Sequence, residues 1–211
     1  MFDINPNLNV DIEYVEDSPM YYMDNFYDNP DEIVQYLLGI CPDLHKKYAR
    51  PTYNGVYFLD MRHDLVNRIP HVYEYLSKIC GQEPLLNNVV TNCSRFFGLN
   101  NFNNYEENYW WPHIDDGYTA LVYFNKDDEV NGTNLYKCLD ESEEEVRRTS
   151  NEHYCPWRPK KYYELVKSIK PRYNRCVLFD AKRYLHGQAV VNEQYFGENF
   201  RMNQALFFRH E

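Results

Sequence analysis

The stretch Trp110–Asn125, WWPHIDDGYTALVYFN, sets two tryptophans and a polar turn, His113-Ile114-Asp115-Asp116-Gly117, ahead of a run of β-branched, aromatic and aliphatic residues. Tyr118 to Phe124 predicts a core strand. Working outward, residues 87–97, 105–113, 119–125, 133–138, 165–170, 175–180, 186–191 and 200–209 carry similar short runs between turn residues, and each predicts a strand. One interruption breaks this rhythm. Residues 140–160, DESEEEVRRTSNEHYCPWRPK, are charged, hold two prolines, and begin acidic with Arg147 and Arg148 behind, the charge order of a short capped helix.

Before the strands, residues 20–28 read as extended, and Asn29-Pro30-Asp31-Glu32 opens a helix whose Ile33, Val34, Leu37 and Leu38 form an apolar stripe with Gly39 near its stop. A second helix is expected from Asp64 to Ile79, interrupted at Pro70 and closed by Gly81. The order is helices first, then a two-sheet β-sandwich or jelly roll. A chain of 211 residues fits one domain. Within it, 1–84 supplies an N-terminal strand and supporting helices, and 85–211 the β core with the 140–160 insertion. No internal repeat or low-complexity linker divides it.

Composition narrows the function classes. Apolar residues make up 44% and aromatics 17%, with 21 Tyr and 12 Phe, which suits a folded β-rich protein and excludes disorder. Acids outnumber bases 32 to 22, and the formal charge of −10 opposes attraction to polyphosphate or an anionic membrane. The opening MFDINPNLNV lacks a basic n-region and an apolar h-region, and no apolar run approaches the roughly 18–20 residues of a membrane span. The expectation is a soluble, cytoplasmic protein without membrane or nucleic-acid partners. The six cysteines are scattered with no C-x-x-C pair, so reduced thiols are the default.

His113-Ile114-Asp115 carries little weight alone. With 32 acids in 211 residues and six histidines that have a residue two places on, about one H-x-[DE] match is expected by chance. Its position matters more, because side chains two apart on extended chain face the same way. A third ligand is offered by RCVLFDAKRYLHGQAV, where His186-Gly187 follows a predicted strand and Gly187 lets backbone pass close to a ligand sphere. Two histidines and one carboxylate leave open positions of the kind non-haem Fe(II) oxygenases use. On spacing alone a solvated His186 in a turn is the commoner outcome. The last predicted strand places Phe200, Met202, Leu206 and Phe208 on one face and Arg201, Asn203, Ala205 and Phe207 on the other. An interior guanidinium there calls for a planar acid partner, such as the carboxylate of a cosubstrate.

Taken in order, His113-x-Asp115, then His186 71 residues after Asp115, then Arg201 a further 15 on, resemble the Fe(II)/2-oxoglutarate-dependent dioxygenases of the prolyl 4-hydroxylase-like group. The likeness spans roughly residues 90–209 and includes a Tyr123-Phe124-Asn125 strand end, a Gly132-Thr133 segment, a Lys170-Pro171 turn and Leu185-His186-Gly187. The resemblance implies a mainly β fold with N-terminal helices, whose core is a double-stranded β-helix (jelly roll, cupin-like). It implies that His113, Asp115 and His186 bind Fe(II), with Asp116 a rival for Asp115. It also implies that Arg201 and Tyr123 hold the distal carboxylate of 2-oxoglutarate, with O2 as co-oxidant and ascorbate as a supporting reductant. The group's usual Glu-Gly-Gly appears here as Glu129-Val130-Asn131-Gly132, and the gap from His186 to Arg201 is longer than usual.

The implied activity is hydroxylation of an unactivated C–H bond in a peptidyl, prolyl-type residue. A free amino acid or other small molecule is the alternative substrate. Halogenating relatives leave the carboxylate position empty, and Asp115 fills it. Arg201-Met202-Asn203 echoes the nucleic-acid dealkylating branch, but Phe207 stands where that branch has a second arginine. A non-catalytic jelly-roll binding or structural protein, with both histidines at the surface, is the alternative from another class. Tyr105, Tyr109, Trp110 and Trp111 are either a substrate wall or ordinary packing, and 140–160 either a lid or inert decoration. Oligomeric state is not legible.

Overall fold

The computed structural model describes residues 1–40, 50–51, 57–63, 69–84, 90–97, 105–126, 132–149, 156–190 and 201–209. In chain order these form β1 (Asp11–Val15), β2 (Ser18–Met23), α1 (Pro30–Ile40), β3 (Arg50–Pro51), β4 (Tyr57–His63), α2 (Pro70–Cys80), β5 (Glu83–Pro84), β6 (Val90–Phe97) and β7 (Asn108–Trp110). There follow β8 (Gly117–Tyr123), β9 (Thr133–Cys138), α3 (Glu141–Thr149), β10 (Trp157–Pro159), β11 (Tyr163–Ile169), β12 (Arg175–Asp180), β13 (Leu185–Gln188) and β14 (Arg201–Arg209). The fold is mainly β with few helices, and its sheets are antiparallel.

A nine-stranded sheet runs β1-β2-β12-β8-β14-β6-β4-β3, with β5 beside the end of β14. A three-stranded sheet runs β11-β9-β13, and β7 pairs with β10 alone. The central strands β8, β12 and β14 are apolar on both faces, and the period of two decides what each face meets. Ala120, Val122, Cys176, Leu178, Met202, Leu206 and Phe208 pack with Ile33 and Leu37 of α1 and with Val72, Tyr73 and Leu76 of α2. Leu121, Tyr123, Val177, Phe179 and Ala205 point the other way and pack with Leu135 of β9 and Ile169 just before Lys170. Helices, large sheet and small sheet are therefore stacked as three layers, and the space between the two sheets is where the polar residues of β14 arrive.

The helices follow from their ends. α1 begins at Pro30 with Asp31 and Glu32 in its first turn, where a missing N–H and negative charge are both favourable. It runs one residue past Gly39, to Ile40. The expected 64–79 helix is shorter at its start. Pro70 opens α2 instead of kinking it, because β4 still pairs with β6 as far as His63; residues 64–68 lie outside the described residues. Gly81 closes α2 in the left-handed conformation, φ 68°, with its N–H on the Ser77 carbonyl.

Other expectations shift too. The β1–β2 hairpin precedes α1, so helices do not come first, and strands from both sides of residue 85 share the large sheet. The expected strand 105–113 is a strand only over Asn108–Trp110, because Trp111 has φ 44° and Pro112 donates no ladder hydrogen bond. The strand expected at 186–191 spans Leu185–Gln188, with residue 191 outside the described residues. Among the described residues no helix is long and apolar enough to cross a membrane.

The hairpin is pinned to β12 by charge. Arg175 donates to both oxygens of Asp24, at 2.5 and 2.9 Å, and Arg172 adds a further ion pair. The hydrogen bonds and charges of these arginines hold the Asp24 carboxyl below its usual range despite partial burial. A depressed carboxylate pKa stabilises the fold above the unfolded value of about 3.9 and loses that contribution as pH falls through the folded value. Asp24→Asn should therefore cost about 0.5–1 kcal/mol at pH 7 after solvent screening. In urea unfolding the gap between wild type and variant should close as the pH is lowered below about 4.

Candidate functional site

Two chain segments meet at one edge of the inter-sheet space. His113 and His186 form an isolated antiparallel bridge: the His113 N–H donates to the His186 carbonyl at 3.0 Å, and the His186 N–H returns to the His113 carbonyl at 2.8 Å. Directly opposed residues put their side chains on the same face, and the two imidazole centroids lie 4.2 Å apart. Gly187 makes this approach possible. A Cβ there would overlap the Trp110 carbonyl oxygen and come within 3.0 Å of the Trp111 carbonyl oxygen.

Trp111, in the left-handed region at φ 44° and immediately before Pro112, takes a conformation that most side chains avoid. Its carbonyl lies 2.8 Å from His113 Nδ1. A carbonyl only accepts, so Nδ1 carries a proton, which leaves Nε2 as the nitrogen that would meet a metal. Asp115 comes next: its N–H donates to the Ala181 carbonyl, and its Oδ2 accepts from Thr119 Oγ1 at 3.0 Å. The same oxygen lies 3.2 Å from His186 Nε2. One ligand atom from each of His113, Asp115 and His186 falls within 4.8 Å of the others.

Burial by itself would push the Asp115 carboxyl up. The hydrogen bond and charge of His186, the charge of His113 and the Thr119 hydroxyl outweigh it, and the carboxyl is held well below the usual range. Asp115 is thus an anion at neutral pH, as a metal ligand must be. Asp116 is exposed and stands outside the cluster. Two imidazoles and one carboxylate are the donor set of a non-haem iron centre, so the residues present fit Fe(II).

Arg201 faces the same space from β14. It is 8% exposed, its Nη2 donates to Thr133 Oγ1 at 3.2 Å, and its Nε has no hydrogen-bond partner. Tyr123 OH also donates to Thr133 Oγ1, at 2.8 Å, and the guanidinium carbon sits 5.9 Å from the Tyr123 ring centroid. Burial, partly offset by the charge of Arg201, raises the Tyr123 phenol, which stays a donor. Among the described residues no carboxylate pairs with Arg201. A buried guanidinium in that position costs several kcal/mol unless an anion completes it, and a carboxylate cosubstrate such as 2-oxoglutarate fits.

Sequence reading did not give Thr119, Thr133 or Gln188 a role in the site. Thr133 joins Arg201 to Tyr123, Thr119 orients Asp115, and Gln188 lies two residues past His186 on the same strand face, a spacing that the period of two would have exposed.

The described parts of the 140–160 segment, 140–149 and 156–160, are tied down beside the small sheet. β10 pairs with β7 through Trp157 and Trp110, whose rings meet edge to face at 4.7 Å. Glu143 of α3 accepts from Tyr163 OH at 2.9 Å and lies 3.7 Å from Arg158 Nε, all three buried. Trp110 is thus core packing, and the strand that leads into His113 is backed by the insertion. The other proposed wall residues, Tyr105, Tyr109 and Trp111, are partly buried, with Tyr109 packed on Tyr136.

No protein-family model matches the chain, and no curated protein matches it. Among solved structures, a prolyl-4-hydroxylase of Pseudomonas putida aligns over 91% of this chain and 92% of its own, at 10% identity and a TM-score of 0.42. The non-heme alpha-ketoglutarate-dependent epimerase of nogalamycin biosynthesis aligns over 89% of this chain and 76% of its own, at 10% identity and a TM-score of 0.46. The His113, Asp115 and His186 triad fits a 2-oxoglutarate oxygenase.

Replacing Gly187 by alanine should push the Trp110–Trp111 backbone away and part His113 from His186. We expect Fe(II) affinity, measured by anaerobic titration, to fall by about tenfold or more, with the far-ultraviolet circular dichroism retained.

Proposed function

We propose that this chain is an Fe(II)- and 2-oxoglutarate-dependent oxygenase that hydroxylates an unactivated C–H bond, with a peptidyl, prolyl-type residue as the favoured substrate. In this reading the two facing sheets are the halves of a jelly-roll core. The observation that carries it is that two binding sets face one space: the His113, Asp115 and His186 cluster, a donor set for a metal ion, and the buried guanidinium of Arg201, which no carboxylate of the described residues pairs. A single cosubstrate with a metal-chelating end and a distal carboxylate answers both. The burial of His186, 5% exposed, weighs against a non-catalytic module whose histidines are surface residues.

His113, Asp115 and His186 would hold Fe(II), and with 2-oxoglutarate and O2 the bound metal would supply the oxidising chemistry, succinate and CO2 being the cosubstrate's products and a hydroxylated carbon the substrate's. The chain's own residues position and protect. Arg201 pairs with the distal carboxylate, and Tyr123 and Thr133 fix the guanidinium beside it. Trp111 holds the His113 ring by its carbonyl, and Thr119 holds Asp115, so the ligands meet the ion without reorganising. Leu121, Val177 and Phe179 line the inter-sheet space with apolar surface and keep water from the reacting carbon.

Purified protein supplied with Fe(II), ascorbate and 2-oxoglutarate should form succinate, and His186→Ala should abolish this with the fold preserved. Anaerobic addition of Fe(II) and 2-oxoglutarate should give a visible charge-transfer band. Neither turnover nor cosubstrate binding by the wild type would overturn the oxygenase reading. A gain of one oxygen by mass, scored across proline-containing peptides and free amino acids, separates the two substrate classes.

A further inference from the structure

We infer that Gln188 is a second cosubstrate-selecting residue, its buried side-chain amide donating to the same distal carboxylate that Arg201 pairs with. This rests on the oxygenase reading and adds a contact that the sequence motif does not contain. Gln188 stands directly opposite Thr133 in the β13–β9 ladder, and directly opposed residues share a face with neighbouring side chains. Thr133 is the residue whose hydroxyl receives both Tyr123 OH and Arg201 Nη2. The Gln188 side chain therefore flanks the guanidinium from the small sheet as Arg201 approaches from the large one.

Gln188 is 7% exposed, and its Nε2 has no hydrogen-bond partner. A buried amide NH2 left unpaired is costly. Arg201 Nε, on the facing sheet and belonging to the guanidinium that donates to the Thr133 hydroxyl, is in the same condition. Two buried donors without partners, Gln188 Nε2 and Arg201 Nε, thus belong to the two residues that neighbour Thr133 from opposite sheets, and a carboxylate presents two acceptor oxygens at once. Asn203, two residues along β14, has an unpartnered Oδ1, an acceptor that a carboxylate does not satisfy. Gln188 is thus the amide whose free group matches. Along β13, Gln188 lies about 7 Å beyond His186, so the metal and the carboxylate end are separated by roughly the length of a short dicarboxylate.

The test compares wild type with Gln188→Met, which keeps length and loses the donor, and Gln188→Glu, which keeps shape and presents a second anion. Fe(II)-loaded full-length protein is titrated anaerobically with 2-oxoglutarate and with pyruvate, a 2-oxo acid lacking the distal carboxylate. Metal-free protein is titrated with glutarate by calorimetry. Gln188→Met should weaken 2-oxoglutarate and glutarate binding about tenfold or more and leave pyruvate and Fe(II) binding within twofold. Gln188→Glu should weaken the dicarboxylates further. In turnover, KM for 2-oxoglutarate should rise with kcat held. Should Gln188→Met misfold, Gln188→Glu alone decides, since dicarboxylate affinity equal to wild type overturns the inference. A wild type that binds dicarboxylates while Gln188→Met matches it overturns this inference and leaves the oxygenase reading standing. A wild type that binds neither 2-oxoglutarate nor glutarate overturns both.

Discussion

The constraint on which the site depends is the passage of the Trp110–Trp111 backbone over Gly187. Everything at the site is registered from that contact: the reciprocal hydrogen bonds of His113 and His186, the Trp111 carbonyl aimed at His113 Nδ1, and Asp115 carried on to meet both rings. The approach has two costs. One is paid by removing a side chain at 187, and the other is the left-handed backbone at Trp111, where a bulky residue is disfavoured by about 1–3 kcal/mol. Neither makes sense as packing economy. Both make sense if the separation between two imidazoles is what must be held.

The second organising fact is that the large sheet has no solvent face at its centre. One side of β8, β12 and β14 meets helices, and the other meets the small sheet. Polar residues on these strands therefore stand in a dry interior. On the helix side Gln204 accepts from Tyr27 OH and keeps an unpartnered Nε2. On the inter-sheet side Arg201 and Asn203 keep unmatched atoms, and there one of the groups is charged.

Legibility in the sequence followed the same division. The strands with apolar and aromatic runs, β8, β12 and β14, could be read from composition, and the face assignment of Arg201 against Met202 came from simple alternation. Spacing alone did not single out His113, Asp115 and His186; the resemblance carried by the ordered set of motifs did. The short strands β7 and β10 were misjudged or missed, because three residues give no measurable period and their pairing is set by tertiary contact of Trp110 with Trp157. β1 was not anticipated because it is exposed along most of its length, so burial left no mark on its sequence. Thr133 was hidden for another reason, since a neutral residue gains a role only from the strand that faces it, whereas Gln188 stood at the two-residue spacing from His186 that places both on one strand face.

The place of β14 in the large sheet carries a consequence for how the protein is made. β14 lies between β8 and β6, and both precede it in the chain. A ribosome delivers those two strands first, so each waits with an open edge until the strand that joins them emerges. Open apolar edges invite pairing between molecules, and closure over such sequence distances is slow. The two sheet edges thus stay open to pairing between molecules until β14 docks, and the docking of the strand that bears Arg201 both joins β8 to β6 and brings this arginine into the inter-sheet space.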